Sequence, residues 1–476
     1  MLSRTREPRK QGNGCRKDFQ LKKLGFTVRI LETSSRVGGR VITLREPLFA
    51  PTNHFLLRAY FKNFNIDSYL PFEMKNKFIY LSSYRGGTTM TYDDFDDKLV
   101  KKEAELLKLF PGLKDREQGK TCDQLFFEAV DPVVKAFKKA YDAASGDTNI
   151  HAGYQAVTDA YDKYTLRSFL EEVACWSFDA IRLFDLGNAH VVFENAFIES
   201  WKDAFLSSNS SGEAAGMEQL QGGMDQVPKA FISPDRGANS LAENVTYGAR
   251  VTHIVDVPAT GDQPSQIQVN YETPSGTQQS VSSNYVIFAV PYGAQRAITK
   301  SRPFSPTITK ILLQYRTRWW EQAAFGAHGQ GTDGGLISDL PIRYTMFPTT
   351  VNNEQYKNTT RGAVIASYTF QQDATTLGAM SPERCVHVAA ENIDHIFPGA
   401  GSLQYLKAGA SQVFPSDELA GGSAFCYFGP GQKSTYLETM VFFAGEHASY
   451  THGWIHGAME AGLRCVQQVY AAATAT

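Results

Sequence analysis

A carboxylate at the end of a short β-branched run, followed by Gly-Gly-Arg, is a grouping that can hold a nucleotide. The run is TVRILE, Thr27 to Glu32, and the loop behind it carries Gly38, Gly39 and Arg40. In a βαβ dinucleotide-binding unit, the acidic residue ending the second strand hydrogen-bonds the ribose hydroxyls, and Glu32 fits that role. Glycines without side chains let backbone N–H groups approach a diphosphate. Arg40 adds a planar, permanently charged donor for the same anion. A bare Gly-Gly-Arg is more often an ordinary surface turn. The whole string ETSSRVGGRV behind a strand is not.

Two histidines near the end of the chain, His447 and His452, could serve as bases. A lone loop histidine is more often structural or solvated, so neither is assigned a catalytic role.

The elements that must position these residues follow from periodicity. The helical LKKLG precedes TVRILE, and polar SSR and GG follow it, giving a helix–strand–loop order. From about Cys122 to Trp201 the chain turns helical. Phe126, Val130, Val133, Phe137 and Tyr141 recur at spacings of three or four, one apolar face of an amphipathic helix. Leu166 to Phe184 reads as a second such stretch. From Arg250 the texture becomes strands: RVTHIVDV, QIQVNYE and NYVIFAVP, with a turn at Pro274 to Gly276. ITKILLQY (Ile308 to Tyr315) and AVIASYTF (Ala363 to Phe370) are two more. The chain closes with strand VFFA (Val441 to Ala444), a polar loop and a helix from about Trp454 to Tyr470.

The 476 residues are enough for two or three domains and a large core. With 42% hydrophobic and 20% charged residues, the composition is that of a globular protein. A net charge of −2 gives no global case for nucleic acid or an anionic membrane as partner. The first 17 residues hold six Arg or Lys against one Glu, but no apolar stretch makes them a secretory signal. No apolar run reaches the roughly 18 to 20 residues that cross a bilayer. The six cysteines are widely spaced without a C-x-x-C pair, against a zinc site or disulfide framework and in keeping with a reduced compartment. The sequons at Asn209, Asn244 and Asn358 are attributed to chance.

Taken together, the strings resemble the flavin-containing amine oxidase family. LExxxRVGGRV is similar to the signature that follows that family's first βαβ turn. VFFAGEHASYTHGWIHGAMEAGLR resembles its closing motif, in the version carried by L-amino-acid oxidases of fungal or bacterial type. QLQGGMDQVPKAF (Gln219 to Phe231) is similar to the family's GGMxx[LV]P segment, and TKILLQYRTRWWE, SDLPIR and FP follow in the family's order. The resemblance runs from Leu21 over nearly the whole chain.

The resemblance implies FAD as cofactor. Glu32, Arg36, Gly38, Gly39 and Arg40 would hold its nucleotide end, and the backbone of Val251 would meet the adenine. Gly445 and Glu446 would hold the ribityl or pyrophosphate portion. The helix beginning near Trp454 and Ile455 would aim its positive end at the flavin N1–O2 edge, with Gly457, Ala458, Ala461 and Gly462 as a small-residue packing face. Lys310 matches the lysine that holds a water against flavin N5. Trp454 matches an aromatic wall beside the substrate amine, and Phe347, standing where the family has a tyrosine before proline, would shape that wall with it.

Three departures from the family pattern stand out. The glycines of the first turn should fall at Arg9, Gln11 and Gly14, and only Gly14 is glycine. The Gly12 to Gly14 turn lies out of register, and no strand precedes it. Aligned on Pro51 and His54, the arginine expected to grip a substrate carboxylate is Phe49, while the nearby Arg45 is out of register. The link from Phe304 to Thr307 is short, and Phe347 lacks the hydroxyl. Abrupt deficits between good matches read as lost or misread exon segments. Loss of a first strand would leave bare edges in a parallel sheet.

The expected fold is α/β: a discontinuous FAD-binding Rossmann-like domain of the GR2 type, a mixed-sheet α+β substrate domain and a helical insertion. The FAD-binding parts are 1–48, 213–303 and 437–476. The substrate parts are 49–120 and 304–436, and the helical subdomain is 121–212. The expected chemistry is oxidative deamination of L-amino acids to 2-oxo acids with ammonia and hydrogen peroxide. The alternatives are a primary-amine or polyamine oxidase, favoured by Phe49, and an inactive, flavin-free remnant of a truncated gene. Expected partners are an amino acid or amine and O2, with a homodimer possible and a cytoplasmic location by default.

Overall fold

The computed structural model describes residues 2–4, 20–43, 49–51, 54–66, 68–72, 76–146, 149–188, 192–206, 216–260, 265–291, 293–295, 306–322, 334–350, 353–400, 402–432 and 443–474. It is a mixed α/β structure. Among the described residues no helix is long and apolar enough to cross a membrane.

TVRILE does not form one strand. It divides at Arg29 into β2 (Phe26–Val28) and β3 (Ile30–Glu32), while β1 (Leu2–Arg4) lies antiparallel to β2. The edge expected to stay bare is therefore covered, by an antiparallel segment rather than the parallel strand of a βαβ unit. β3 pairs in parallel with Val245–Tyr247.

β4 (Phe49–Pro51) and β5 (Tyr69–Phe72) enclose helix α1 (Phe55–Phe64), and β6 (Asn76–Leu81) pairs with β7 (Thr88–Thr91). Helices α2 (Cys122–Ala143), α3 (Asn149–Tyr161), α4 (Phe178–Asn188) and α5 (Phe197–Leu206) follow. Thr121 and Gln124 cap α2 reciprocally, satisfying two of its open N–H groups. Of the apolar stripe read from the sequence, Val130, Val133 and Phe137 join Phe95, Phe169 and Phe197 in one helical core, Phe126 packs against it half-buried, and Tyr141 is exposed. The expected helix over 166–184 is interrupted. Cys175 takes φ 52°, and Ser177 then starts α4 by accepting from the Ala180 N–H at 3.0 Å.

β8 (Met217–Leu220) lies between β4 and β5, and β9 (Val245–Tyr247) is the parallel partner of β3. β10 (Arg250–Val257), β11 (Gln266–Glu272) and β12 (Gln278–Ser283) form an antiparallel sheet, with the Pro274–Gly276 turn where the sequence put it. NYVIFAVP forms no described strand; within it Phe288 makes an isolated parallel bridge to Phe443.

The largest sheet has seven strands in the order β17-β13-β16-β15-β14-β6-β7, from β13 (Ile308–Tyr315), β14 (Gly334–Ser338), β15 (Tyr344–Met346), β16 (Gly362–Phe370) and β17 (Leu406–Val413) with β6 and β7. Directly paired residues share a face, so register decides which side chains meet. Lys310 pairs with Tyr368, Met346 with Ile365, and Gly335 with both Met346 and Lys77. A bulge in β16 takes the register from Ile311–Ser367 to Leu312–Ile365, which keeps Ile365 on the face of Tyr368. The opposite face carries Ile311, Leu313, Tyr315, Leu336 and Val364, packed on helix α6 (Pro382–Ile396) through Cys385, Ala389 and Ile393. Helix α7 (Ile455–Thr474) closes the described chain.

Candidate cofactor and active site

One cavity of about 2580 Å³ runs past the Glu32 loop, the start of α7 and one face of the seven-stranded sheet. That is more than twice the upper range of an ordinary small-molecule pocket, which runs to about 1,000 Å³. Glu32, Gly38, Gly39 and Val251 line it. So do Trp454, Ile455, Ala458 and Gly462 from the start of α7, and Lys310, Tyr344, Met346, Ile365 and Tyr368 from the sheet face.

At the nucleotide-like end, the Glu32 carboxylate accepts from the Ser34 N–H at 2.8 Å and the Ser34 hydroxyl at 2.7 Å, both through Oε1. Oε2 is left to other donors. Beside it the Thr33 hydroxyl is buried in the cavity wall without a partner. Gly38 takes φ 100°, and a Cβ there would lie 2.7 Å from Pro228 Cγ. Gly223 takes φ 97°, and a Cβ there would lie 2.2 Å from Thr43 Cγ2. The two Gly-Gly segments thus clasp each other, each tolerating only glycine at the contact. Gly39 at φ 52° has open space around it.

The two arginines of this loop differ, Arg40 lining the cavity and Arg36 not. Arg36 does not line the cavity: its guanidinium donates to the carbonyls of Gly39 at 2.5 Å and Val41 at 3.3 Å, wrapping its own loop. The planar fork reaches those carbonyls because the glycine turn folds them back beneath it. Arg40 reaches across to the closing loop, donating to the Ala424 carbonyl and to Glu446 Oε1, each at 2.9 Å.

Glu446 is an internal brace. Besides Arg40 it accepts from the N–H of Cys426 at 3.0 Å through Oε1 and of Gly453 at 2.9 Å through Oε2. Three protein donors hold the carboxylate, which together with Gly445 still lines the cavity. Burial alone would raise its pKa, but Arg40, His452, His447 and the Gly453 N–H together hold it below the usual carboxylate value. Before it, Gly445 takes φ 112°, where a Cβ would strike the His447 ring at 2.5 Å.

The closing histidines are off the cavity wall, as expected of structural groups. His447 meets Gln295 Nε2 at 2.8 Å, and its pKa is lowered to about 4, chiefly by burial. His452 Nδ1 lies 2.6 Å from Glu199 Oε2. Trp454 follows directly and lines the cavity, with His54 set edge-on to it at 5.1 Å. His54 stacks on His456 at 4.7 Å, and its pKa falls to about 4 through burial and the neighbouring imidazole. Behind them α7 needs glycine at 457, where a Cβ would lie 1.9 Å from the Thr451 carbonyl. Gly462, facing the cavity, has no such neighbour.

On the sheet face, Lys310 extends into the cavity with Nζ 4.3 Å from the Tyr368 ring centroid. Phe347 corrects the sequence reading. It follows Met346 and so turns to the other face, where it is 2% exposed and packs against Trp319 and Trp320. The aromatic wall on the cavity side belongs to Tyr344 and Tyr368. Alternation from Met346 places Tyr344 there, and pairing with Lys310 places Tyr368 there; matching a motif residue by residue does neither. His54 was used only to align Pro51, and nothing in its sequence context marked it as a wall residue. Arg9, Gln11, Gly14 and Arg45 lie outside the described residues, as does the side chain of Phe49.

The family profile for flavin containing amine oxidoreductases matches residues 19–470, and the chain belongs to that family. It is similar to YobN of Bacillus subtilis, at 26% identity over 94% of this chain and 91% of that protein. It is 27% identical to the L-amino-acid oxidase of Crotalus adamanteus over 94% and 82% of the two chains. It is 26% identical to that of Vipera ammodytes ammodytes over 96% and 90%. The protein is an FAD-dependent oxidoreductase.

The cavity suits that cofactor. An open carboxylate oxygen on Glu32, a partnerless Thr33 hydroxyl, a positive-φ glycine with clear space and a helix N-terminus all front one space large enough for a dinucleotide.

Proposed function

We propose that this chain deaminates L-α-amino acids oxidatively, giving 2-oxo acids, ammonia and hydrogen peroxide. The observation that carries the reading is the sheet face: Lys310 and two tyrosines share a single cavity with the Glu32 loop and the start of α7. Similarity to L-amino-acid oxidases over more than nine-tenths of the chain supports it. Within the reading, residues 1–48, 213–303 and 437–476 form the FAD-binding domain, the seven-stranded sheet belongs to the substrate domain, and the active species is a homodimer.

Bound FAD would supply the two-electron oxidation of the substrate's α-carbon and its own reoxidation by O2. The rest falls to side chains. Glu32 orients ribose hydroxyls, and the Gly38–Gly39 backbone takes the diphosphate. The start of α7 places its positive end beside Trp454 and Ile455. Lys310, held over Tyr368, keeps a water at the reacting centre. Trp454, Tyr344 and Tyr368 shape the wall against the amino acid and exclude bulk water. The imine product then hydrolyses to the 2-oxo acid.

A second reading, oxidation of primary amines, is favoured by Phe49 at the position where a carboxylate-gripping arginine is expected. The test is to purify the protein, record its visible spectrum, and measure peroxide with L-phenylalanine and with tyramine. A flavin spectrum near one FAD per chain, with peroxide and ammonia from phenylalanine, is expected. Peroxide from tyramine alone would replace the first reading with the second. A colourless protein would sink both.

A further inference from the structure

The helix carrying Trp201 into the cavity wall also buries two opposite charges. On α5, Glu199 is 0% and Lys202 2% exposed, and their spacing of three residues puts them on one side of the helix. Glu199 Oε2 accepts from Lys202 Nζ at 3.1 Å and lies 2.6 Å from His452 Nδ1. Lys202 Nζ is 3.4 Å from the same nitrogen. A carboxylate only accepts, so at 2.6 Å the proton sits on Nδ1 and points at Glu199; Lys202, which only donates, is bound to Glu199 and not to that nitrogen. His452 is off the cavity wall and cannot touch a substrate.

Two ionic braces therefore hold one short loop. At one end Arg40 grips Glu446; at the other the Glu199–Lys202 pair grips His452. Gly453, between brace and wall, donates its N–H to Glu446 at 2.9 Å, and Trp454 comes next. Fully buried ion pairs add little net stability, because desolvation offsets most of the attraction and a well-packed apolar group does as well. What such a pair supplies is direction.

We propose that Glu199 and Lys202 are positioning residues which, acting through His452, set the orientation of Trp454 in the cavity wall. The catalytic side of this proposal rests on the reading of Trp454 as part of the substrate wall; the structural side does not.

The test compares the wild type with E199Q/K202M, which removes both charges and leaves neither unpaired. All proteins carry 5-fluorotryptophan at the five tryptophans, and W454F assigns the Trp454 signal in the 19F spectrum. In the double variant the Trp454 line should shift or split, while the lines of Trp319 and Trp320, in the sheet core, stay in place. H452L should reproduce that change. H452N, whose amide nitrogen can replace Nδ1 as donor to Glu199, should restore the wild-type position. An unmoved Trp454 line in both E199Q/K202M and H452L overturns the proposal, and neither flavin nor turnover is needed to see it. In flavin-loaded protein, kcat should fall about tenfold with FAD content unchanged; an unchanged kcat overturns the catalytic side. If the wild type itself oxidises no amino acid, the proposed function fails and the 19F comparison still decides this inference.

Discussion

Arg40 and Glu446 are separated by 406 residues in sequence and by 2.9 Å in space. Both side chains are largely buried, at 16% and 8% exposure. Their contact ties the Gly-Gly loop to the segment leading into α7, and so joins the two motifs that frame the cavity.

Breaking that pair from one side should be costly. In R40M the Glu446 carboxylate keeps its amide donors and loses its countercharge, and stability should fall by about 3–5 kcal/mol in chemical unfolding. R40M/E446Q should recover much of the loss, since no buried charge is then unpaired. Equal destabilisation of the single and double variants would show that packing, rather than charge, dominates here.

Acid should weaken the fold through two buried histidines. His54 and His447 have pKa values lowered to about 4 from 6.5, so below 6.5 the unfolded chain binds protons that the folded chain refuses. Their contribution is complete above about pH 6.5 and is lost as the pH falls toward 4. For His447, sealed from solvent, this amounts to up to about 3 kcal/mol; for His54, on the cavity wall, less. Glu446 and Glu460, both held below the ordinary value, extend the loss at still lower pH. Unfolding midpoints measured from pH 8 to 4 should be level at first and then decline. In H447Q the decline between 6.5 and 4 should be shallower.

Two glycines on α7 should respond oppositely to alanine. G457A drives a methyl into the Thr451 carbonyl and should destabilise the protein by several kcal/mol. G462A meets open space and should stabilise the cofactor-free chain by up to about 1 kcal/mol. If FAD lies along that side of the helix, G462A should also weaken its binding, read from the flavin absorbance retained through dialysis.

K310M should retain flavin and lose turnover by about a hundredfold or more, the scale expected when a group handling a water or proton at the reacting centre is removed. Rapid-mixing absorbance of flavin reduction under anaerobic conditions is the measurement. Reduction at the wild-type rate would remove Lys310 from that step.

Much of this architecture was legible in the sequence because local pattern and final environment agree. ITKILLQY, RVTHIVDV and QIQVNYE are strands over the expected residues, and the α2 stripe is a helical core face. Glu32, Gly39 and Trp454 do front one cavity. The misreadings have a common cause: partners distant in sequence decide them. Arg36 turns back to the carbonyls of its own loop and stays off the cavity wall, a choice made by the folded glycine turn beneath it. Phe347 lies one residue beyond the strand position that faces the cavity, and a single step in a strand exchanges one face of the sheet for the other.

The order in which contacts can form has its own consequence. The helical core draws on residues 79–201, all of which are present before half the chain has been synthesised. The nucleotide side is different: β3 must wait for β9, Phe288 for Phe443, and Arg40 for Glu446. On a ribosome adding about 5–20 residues per second, the Gly-Gly loop stays without its anchor until another 406 residues have been made. The segment that closes the cavity is made long after the helices. Damage near the C-terminus should therefore leave a chain with its helices assembled and its cofactor side open.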